Sequence, residues 1–262
     1  MRWISLRALS KTAVGMGLVL TAGFGGAARA AAQSVAQAPS AGSSGYERKV
    51  IVLDAAHGGS DIGTQISEHV LEKDVTLALA VRLRSLLAAR GFSVVLTRDS
   101  DTAISTDQRA ETANRAHAVA CLVLHATASG TGVHLATSAL NAIDSTTPGA
   151  AVPWDDAQAA YLTQSQKLAA GIGDAVTRSQ VPLVAAKAWM KPLDNLTCAA
   201  VSVEIAPLGR GAEETAVTDQ GYQQRVSEAL AGALIFWRNQ ASGRAAVDAP
   251  GVGRAADAGA RP

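Results

Sequence analysis

The sequence predicts an α/β fold, a single domain with a mostly parallel, twisted sheet and helices on both faces. Three observations lead there. Short apolar runs rich in β-branched residues alternate with segments of helical period, the pattern of parallel strands joined by crossover helices. Three of those runs end in a residue that binds metals or moves protons: His57 after 50–53, His125 after 121–124, and Glu204 after 201–203. Roughly 190 residues lie between two ends of low-order composition, which suits one domain.

Residues 1–32 have the three parts of a secretory signal. Arg2, Arg7 and Lys11 are basic, 12–26 are apolar, and Ala28-Arg29-Ala30 is a small-x-small cleavage pattern, with Ala30-Ala31-Ala32 as a competitor. The apolar run is shorter than the roughly 20 residues of a spanning helix. Export to the periplasm or cell envelope is therefore expected, with no membrane span after processing. No cysteine follows the cleavage pattern, which excludes a lipoprotein, and paired arginines are absent. Residues 33–47 read as a flexible linker and 241–262, rich in Ala, Gly, Arg and Pro, as a disordered tail.

Within 48–240, residues 50–53 are a strand buried on both faces. A Gly-rich loop, 58–67, follows. Residues 72–90 place Val75, Leu79, Leu83, Leu86 and Leu87 on one helix face, and Gly91 stops the helix. Residues 92–97 are the next strand. Ser105 or Thr106 caps a helix through 116. Residues 119–124 and 132–137 are strands, and 141–153 a loop. Asp155 or Asp156 caps a long helix to about 178, striped by Leu162, Leu168, Ile172 and Val176. Residues 201–205 are a strand, and Thr218 or Asp219 starts a last helix ending near 239.

The chain carries formal charge +1. Without the four basic residues of 1–32, 19 basic face 22 acidic residues, net −3. No basic patch points to nucleic acid, and no internal repeat to a solenoid. The domain is expected to be a monomer.

Parallel neighbours bring the carboxyl ends of their strands to one sheet edge, where open α/β sheets keep their ligands. His57, His125 and Glu204 converge there, and Glu72, in the first turn of its helix, can face the same edge. His57, Glu72 and His125 form a zinc donor set with a coordination position left for water. Glu204 is the remaining carboxylate, placed for proton transfer. Each has a plainer reading alone. His57 is otherwise a loop histidine, Glu72 a complement to the helix dipole, and Glu68 a neighbouring alternative ligand. A carboxylate at an apolar strand end, as Glu204 is, costs free energy unless paired. Asp54 is placed either to hold a ligand histidine or to fix its loop. Arg109 and Asn114 read by default as packing and salt-bridge residues, and Arg109, like Asp54 and His134, is also a candidate to support the site or touch substrate. His69 and His117 read as structural or exposed, and His134, in an alternating segment, can face the cleft. Cys121 and Cys198 suit either a disulfide in an exported protein or two buried thiols.

The stretches VIVLDAAHGG, EKDVTLALAVRLRSLLAARGFSVVLTRDSD, QRAETANRAHAVACLVLHATAS, VEIAPL and YQQRVSEAL together resemble the zinc-dependent N-acetylmuramoyl-L-alanine amidases of the amidase-3 family, over roughly 48–240. The resemblance implies a phosphorylase/hydrolase-like α/β fold, with one zinc on His57, Glu72 and His125 and Glu204 as the catalytic glutamate. It implies cleavage of the amide between the lactyl group of N-acetylmuramic acid and the L-alanine of the peptidoglycan stem peptide, in wall turnover or daughter-cell separation. It also admits an activator protein. Three flanks depart from the family pattern. Asp54-Ala55-Ala56-His57 replaces Asp-Pro-Gly-His, Ala126-Thr127 replaces Ala-Asn, and 205–209 replace a Gly-Phe-Leu-Ser-Asn-like run. Two rivals are a zinc peptidase cutting another amide and a non-catalytic peptidoglycan-binding module. No helix covering the metal is expected within 141–156.

Overall fold

Strand β1 (Val50–Ala55) is buried along almost its whole length because it lies inside a sheet covered on both faces. A computed structural model describes residues 49–143, 152–209 and 215–247, with backbone alone from 241. The expected export signal, the linker, the end of the tail and the middle of the 141–153 loop lie outside them. The described residues belong to one compact unit, Tyr46–Pro262.

After β1 the chain forms a small hairpin, β2 (Gln65–Ser67) and β3 (Val70–Leu71), in what reads from sequence as a plain loop. Helix α1 (Glu72–Ala88) then leads to β4 (Ser93–Leu96), α2 (Thr106–Arg115), β5 (Ala120–Ala126) and β6 (Val133–Ser138). Helix α3 (Leu162–Arg178), β7 (Leu183–Ala188), β8 (Ala200–Ile205) and α4 (Gln220–Val247) complete the fold. The sheet order is β4-β1-β5-β8-β6-β7. Within this sheet the described strands all pair in parallel except β6 with β8.

Alternate strand residues feed two cores. Ile51, Leu53, Leu122, Leu124, Val201 and Val203 pack under α1, α3 and α4. Val52, Cys121, Val123 and Ala200 pack under Ala110 and Ala113 of α2 and the 3-10 turn Leu193–Asn195. The expected apolar faces form: Val75, Leu79, Leu83 and Leu87 of α1 are buried, as are Leu162, Leu168, Ile172 and Val176 of α3. Ser105 caps α2 in a reciprocal box with Gln108, and Asp219 caps α4 through the Tyr222 amide at 2.7 Å.

Several boundaries differ from the expectation. The strand expected to stop at 124 runs on, so His125 lies inside β5, whereas β8 holds Glu204 as the expected strand 201–205 does. The long helix from Asp155 begins instead as a 3-10 segment, Trp154–Tyr161. There Gln158 turns inward and donates to the Leu196 and Cys198 carbonyls at 2.7 and 3.1 Å. Strand β7 has no counterpart in the sequence reading. Its pattern is mostly exposed because it is an edge strand, needing only β6 as a partner. Helix α4 continues past 239 to Val247, into the tail expected to be disordered. Cys121 and Cys198 form a disulfide. Among the described residues no helix is long and apolar enough to cross a membrane.

Candidate active site

β1 leads through α1 to β4 on one side, and the chain then crosses to β5 on the other. The crevice at the carboxyl ends of β1 and β5 is therefore the point where strand order reverses, the usual ligand position in such sheets. His57 follows β1 there with φ 63°, in the left-handed region that non-glycine residues rarely occupy. Two buried arginines hold this turn. Arg109 donates to the carbonyls of Ala55 and His57, both at 2.6 Å, and pairs with Asp54 at 2.7 Å. Arg98 donates to the carbonyls of Ala55, Ala56 and Lys73 at 2.8, 3.1 and 2.7 Å. These clamps fix a turn that lacks the family's Pro-Gly pair.

Glu72, the first residue of α1, is buried. Its Oε2 accepts from the Thr64 amide at 2.8 Å and lies 3.3 Å from His57 Nε2. Its Oε1 lies 2.8 Å from His125 Nδ1. Burial alone would raise the Glu72 pKa, but hydrogen bonds from His125, His57 and the Thr64 amide outweigh it and hold the carboxyl well below its ordinary value. The bond to Glu72 raises the pKa of His57, against burial, which lowers it.

His57, Glu72 and His125 each offer a ligand atom within 4.8 Å of the others. Two imidazoles and a carboxylate are the donor set of an open catalytic zinc site. Gly63 shapes its wall. A Cβ at Gly63 would lie 2.6 Å from His57 Cδ2 and 2.7 Å from Glu72 Oε2, and its φ of +65° favours glycine. The three residues therefore fit a single divalent cation.

His57 Nδ1 is held by Asp61, at 2.9 Å to either carboxylate oxygen. The sequence reading missed Asp61, and the first candidate for this task, Asp54, does not perform it. Asp54 instead binds Arg109 and Thr97, which makes it a loop-fixing residue. Arg109 takes the expected salt bridge and adds the clamp on His57. Asn114 ties α2 to the loop before β8 through the Asn195 carbonyl and the Thr197 amide. Glu68, His69 and His117 are exposed, and none is in the cluster.

Glu204 pairs in register with His125 on β5 and with His134 on β6. The strand period puts all three on the sheet face opposite α1, α3 and α4. His134 Nδ1 lies 2.8 Å from Glu204 Oε2. Below them on this face, over β8, β6 and β7, lies a cleft of about 330 Å³ floored by Ser202, Ala136 and Ala186 and lined also by Met190. A larger groove of about 670 Å³ between α3 and β7 carries none of the candidate residues.

Residues 51–235 match the N-acetylmuramoyl-L-alanine amidase family. The germination-specific N-acetylmuramoyl-L-alanine amidase of Bacillus subtilis is 28% identical over 203 residues, 70% of this chain and 76% of that protein. The amidase AmiA of Escherichia coli is 41% identical over 88 residues, 34% of this chain and 30% of AmiA. Two solved structures share the fold. The catalytic domain of the amidase CwlV from Bacillus (Paenibacillus) polymyxa superposes with TM-score 0.56 at 23% identity, covering 73% of this chain and 98% of that domain. The CwlD amidase of Clostridioides difficile, in complex with the GerS lipoprotein, does so with TM-score 0.54 at 18% identity, covering 74% and 100%.

Proposed function

The chain belongs to the N-acetylmuramoyl-L-alanine amidase family, and from that premise we propose a zinc-dependent hydrolysis at the residues just described. The scissile bond is the amide joining the lactyl group of N-acetylmuramic acid to the L-alanine of the stem peptide. His57, Glu72 and His125 hold one zinc ion per chain. When bound, such an ion supplies Lewis acidity and makes water acidic enough to ionise near neutral pH. The observation that carries the reading is the register of β5 and β8, which sets Glu204 beside the ligand His125. Glu204 takes a proton from the attacking water, whose oxygen bonds to the amide carbon. As the carbon–nitrogen bond breaks, Glu204 returns that proton to the departing L-alanine amine. Glu72 and Asp61 keep the two imidazoles in place. Ala55 and Ala56, locked by Arg98 and Arg109, set where His57 begins.

Export to the cell envelope, a monomeric catalytic unit and a role in wall turnover or daughter-cell separation complete the proposal. The features of residues 1–32 and the nature of the substrate support export. An activator protein belongs to the proposal too: the CwlD amidase, which shares the fold, was solved in complex with a lipoprotein.

The test is digestion of purified peptidoglycan by the full chain, with and without a chelator, beside Glu204→Ala. Stem peptides with a free L-alanine amine should be released. Chelator should abolish release, and Glu204→Ala should slow it about 100- to 10,000-fold with zinc still bound. Peptides cut at another amide would favour a peptidase. Binding without cleavage by folded, zinc-loaded protein would sink the hydrolytic reading unless a partner restores it.

A further inference from the structure

We propose that His134 is a positioning residue, whose Nδ1–H donates to Glu204 and holds that carboxylate in its working orientation. This rests on Glu204 acting as the base. Strand β6 runs against β8, so its amino end arrives at the edge where β5 and β8 finish. His134, near the start of β6, therefore stands directly across from Glu204, which stands directly across from His125. A residue at this position in a parallel strand of the sheet would have to come from that strand's carboxyl end.

Glu204 needs such a partner. Its side chain is 37% exposed, in the lining of an open cleft. A loose carboxylate spreads its oxygens over several positions, and a base misplaced by about 1 Å can cost roughly 100-fold in rate. His134 Nδ1 lies 2.8 Å from Glu204 Oε2. An ionised carboxylate only accepts hydrogen bonds, so the proton sits on Nδ1. The bond then leaves Oε1 for the water.

The imidazole is itself constrained. Gly130 has φ +85°, and a Cβ there would lie 2.5 Å from His134 Cε1 and 2.7 Å from Nε2. The loop backbone thus abuts the ring edge away from Glu204, in a space that a side chain at 130 would fill.

The test compares His134→Leu, His134→Asn and Gly130→Ala with the unaltered full chain, all zinc-loaded. Asn offers a side-chain N–H close to the place of Nδ1 but has no imidazole. The expected result is a fall in kcat of roughly 100-fold for His134→Leu, with KM and zinc content unchanged. His134→Asn should recover most of the rate, and Gly130→Ala should slow kcat with both side chains present. Nitrogen-15 NMR of the unaltered protein should show the proton on Nδ1 of His134.

Wild-type kcat in His134→Leu overturns the proposal. So does a change confined to KM, which makes His134 a substrate contact. So does His134→Asn as slow as His134→Leu, which requires the ring itself. If the unaltered protein releases no stem peptides, the amidase reading fails separately, and the NMR measurement still decides the pair. Nδ1–H whose signal shifts in Glu204→Ala supports the pairing, and a proton on Nε2 alone refutes it.

Discussion

Asp61 holds the Nδ1 side of His57, a candidate metal ligand, although its own side chain is 64% exposed. A carboxylate on the far nitrogen of a ligand imidazole fixes its tautomer and orientation, and losing it typically costs 10- to 100-fold in metal affinity. Asp61→Asn should weaken zinc binding by about that factor in a competitive chelator titration. An unchanged affinity would show that the imidazole needs no such support. The pH dependence follows from His57. Its pKa is raised above 6.5 by the hydrogen bond to Glu72, against burial. A proton on His57 excludes a cation, so zinc affinity should be full above the raised value and fall as pH drops through it. Calorimetric zinc titrations at several pH values would reveal this. In the zinc-free protein the sign reverses. Protonated His57 beside Glu72 contributes stability that is fully present below pH 6.5 and lost as pH rises through the raised value. Thermal melts of chelated protein that gained stability over that interval would contradict the pairing. The four residues His57, Glu72, His125 and Glu204 were legible because each sits where a strand or helix signal begins or ends. Asp61 was not, since nothing local in the loop after His57 says that it folds back on the ring.

The turn from β1 into the site shows what elements add to residues. Two alanines stand where the family pattern has Pro-Gly, so the backbone is not preset for the left-handed His57. Instead α2 delivers Arg109 and the end of β4 delivers Arg98, each donating to carbonyls of the turn. The Arg109–Asp54 pair is buried on both sides. Removing one member leaves an uncompensated buried charge, which costs about 3–5 kcal/mol. Arg109→Ala should lose that much in denaturant unfolding, and removing Asp54 as well should restore part of it. A loss under about 1 kcal/mol would mean that solvent reaches Asp54. The helices themselves were readable, because α1 and α3 bury the predicted stripes and Ser105 caps α2. The 3-10 segment at Trp154–Tyr161 was not, since Gln158 turns inward for carbonyls about forty residues away. Strand β7 escaped because an exposed edge strand of alanines has no period to detect.

Across the whole molecule, Cys121 and Cys198 join the starts of the two strands that carry His125 and Glu204 at their other ends. A bridge across 77 residues restricts the unfolded chain, and losing such a bond costs about 2–5 kcal/mol. Replacing both cysteines by alanine should lower Tm by roughly 4–20 °C, at about 2–4 °C per kcal/mol for a domain of this size. Activity well below the new Tm should persist, since neither sulfur lies at the site. Loss of activity at full folding would show instead that the bridge sets the spacing of β5 and β8. The sequence by itself determined the α/β class, the single domain, the helix faces and the residues able to do chemistry, because burial and period are imprinted on neighbouring residues. Tertiary structure alone decided that β6 runs backwards to bring His134 to Glu204, that Asp61 and not Asp54 supports His57, and that the two cysteines are joined. Those outcomes depend on which distant segments become neighbours, and the free energy that selects them is shared across the packed sheet.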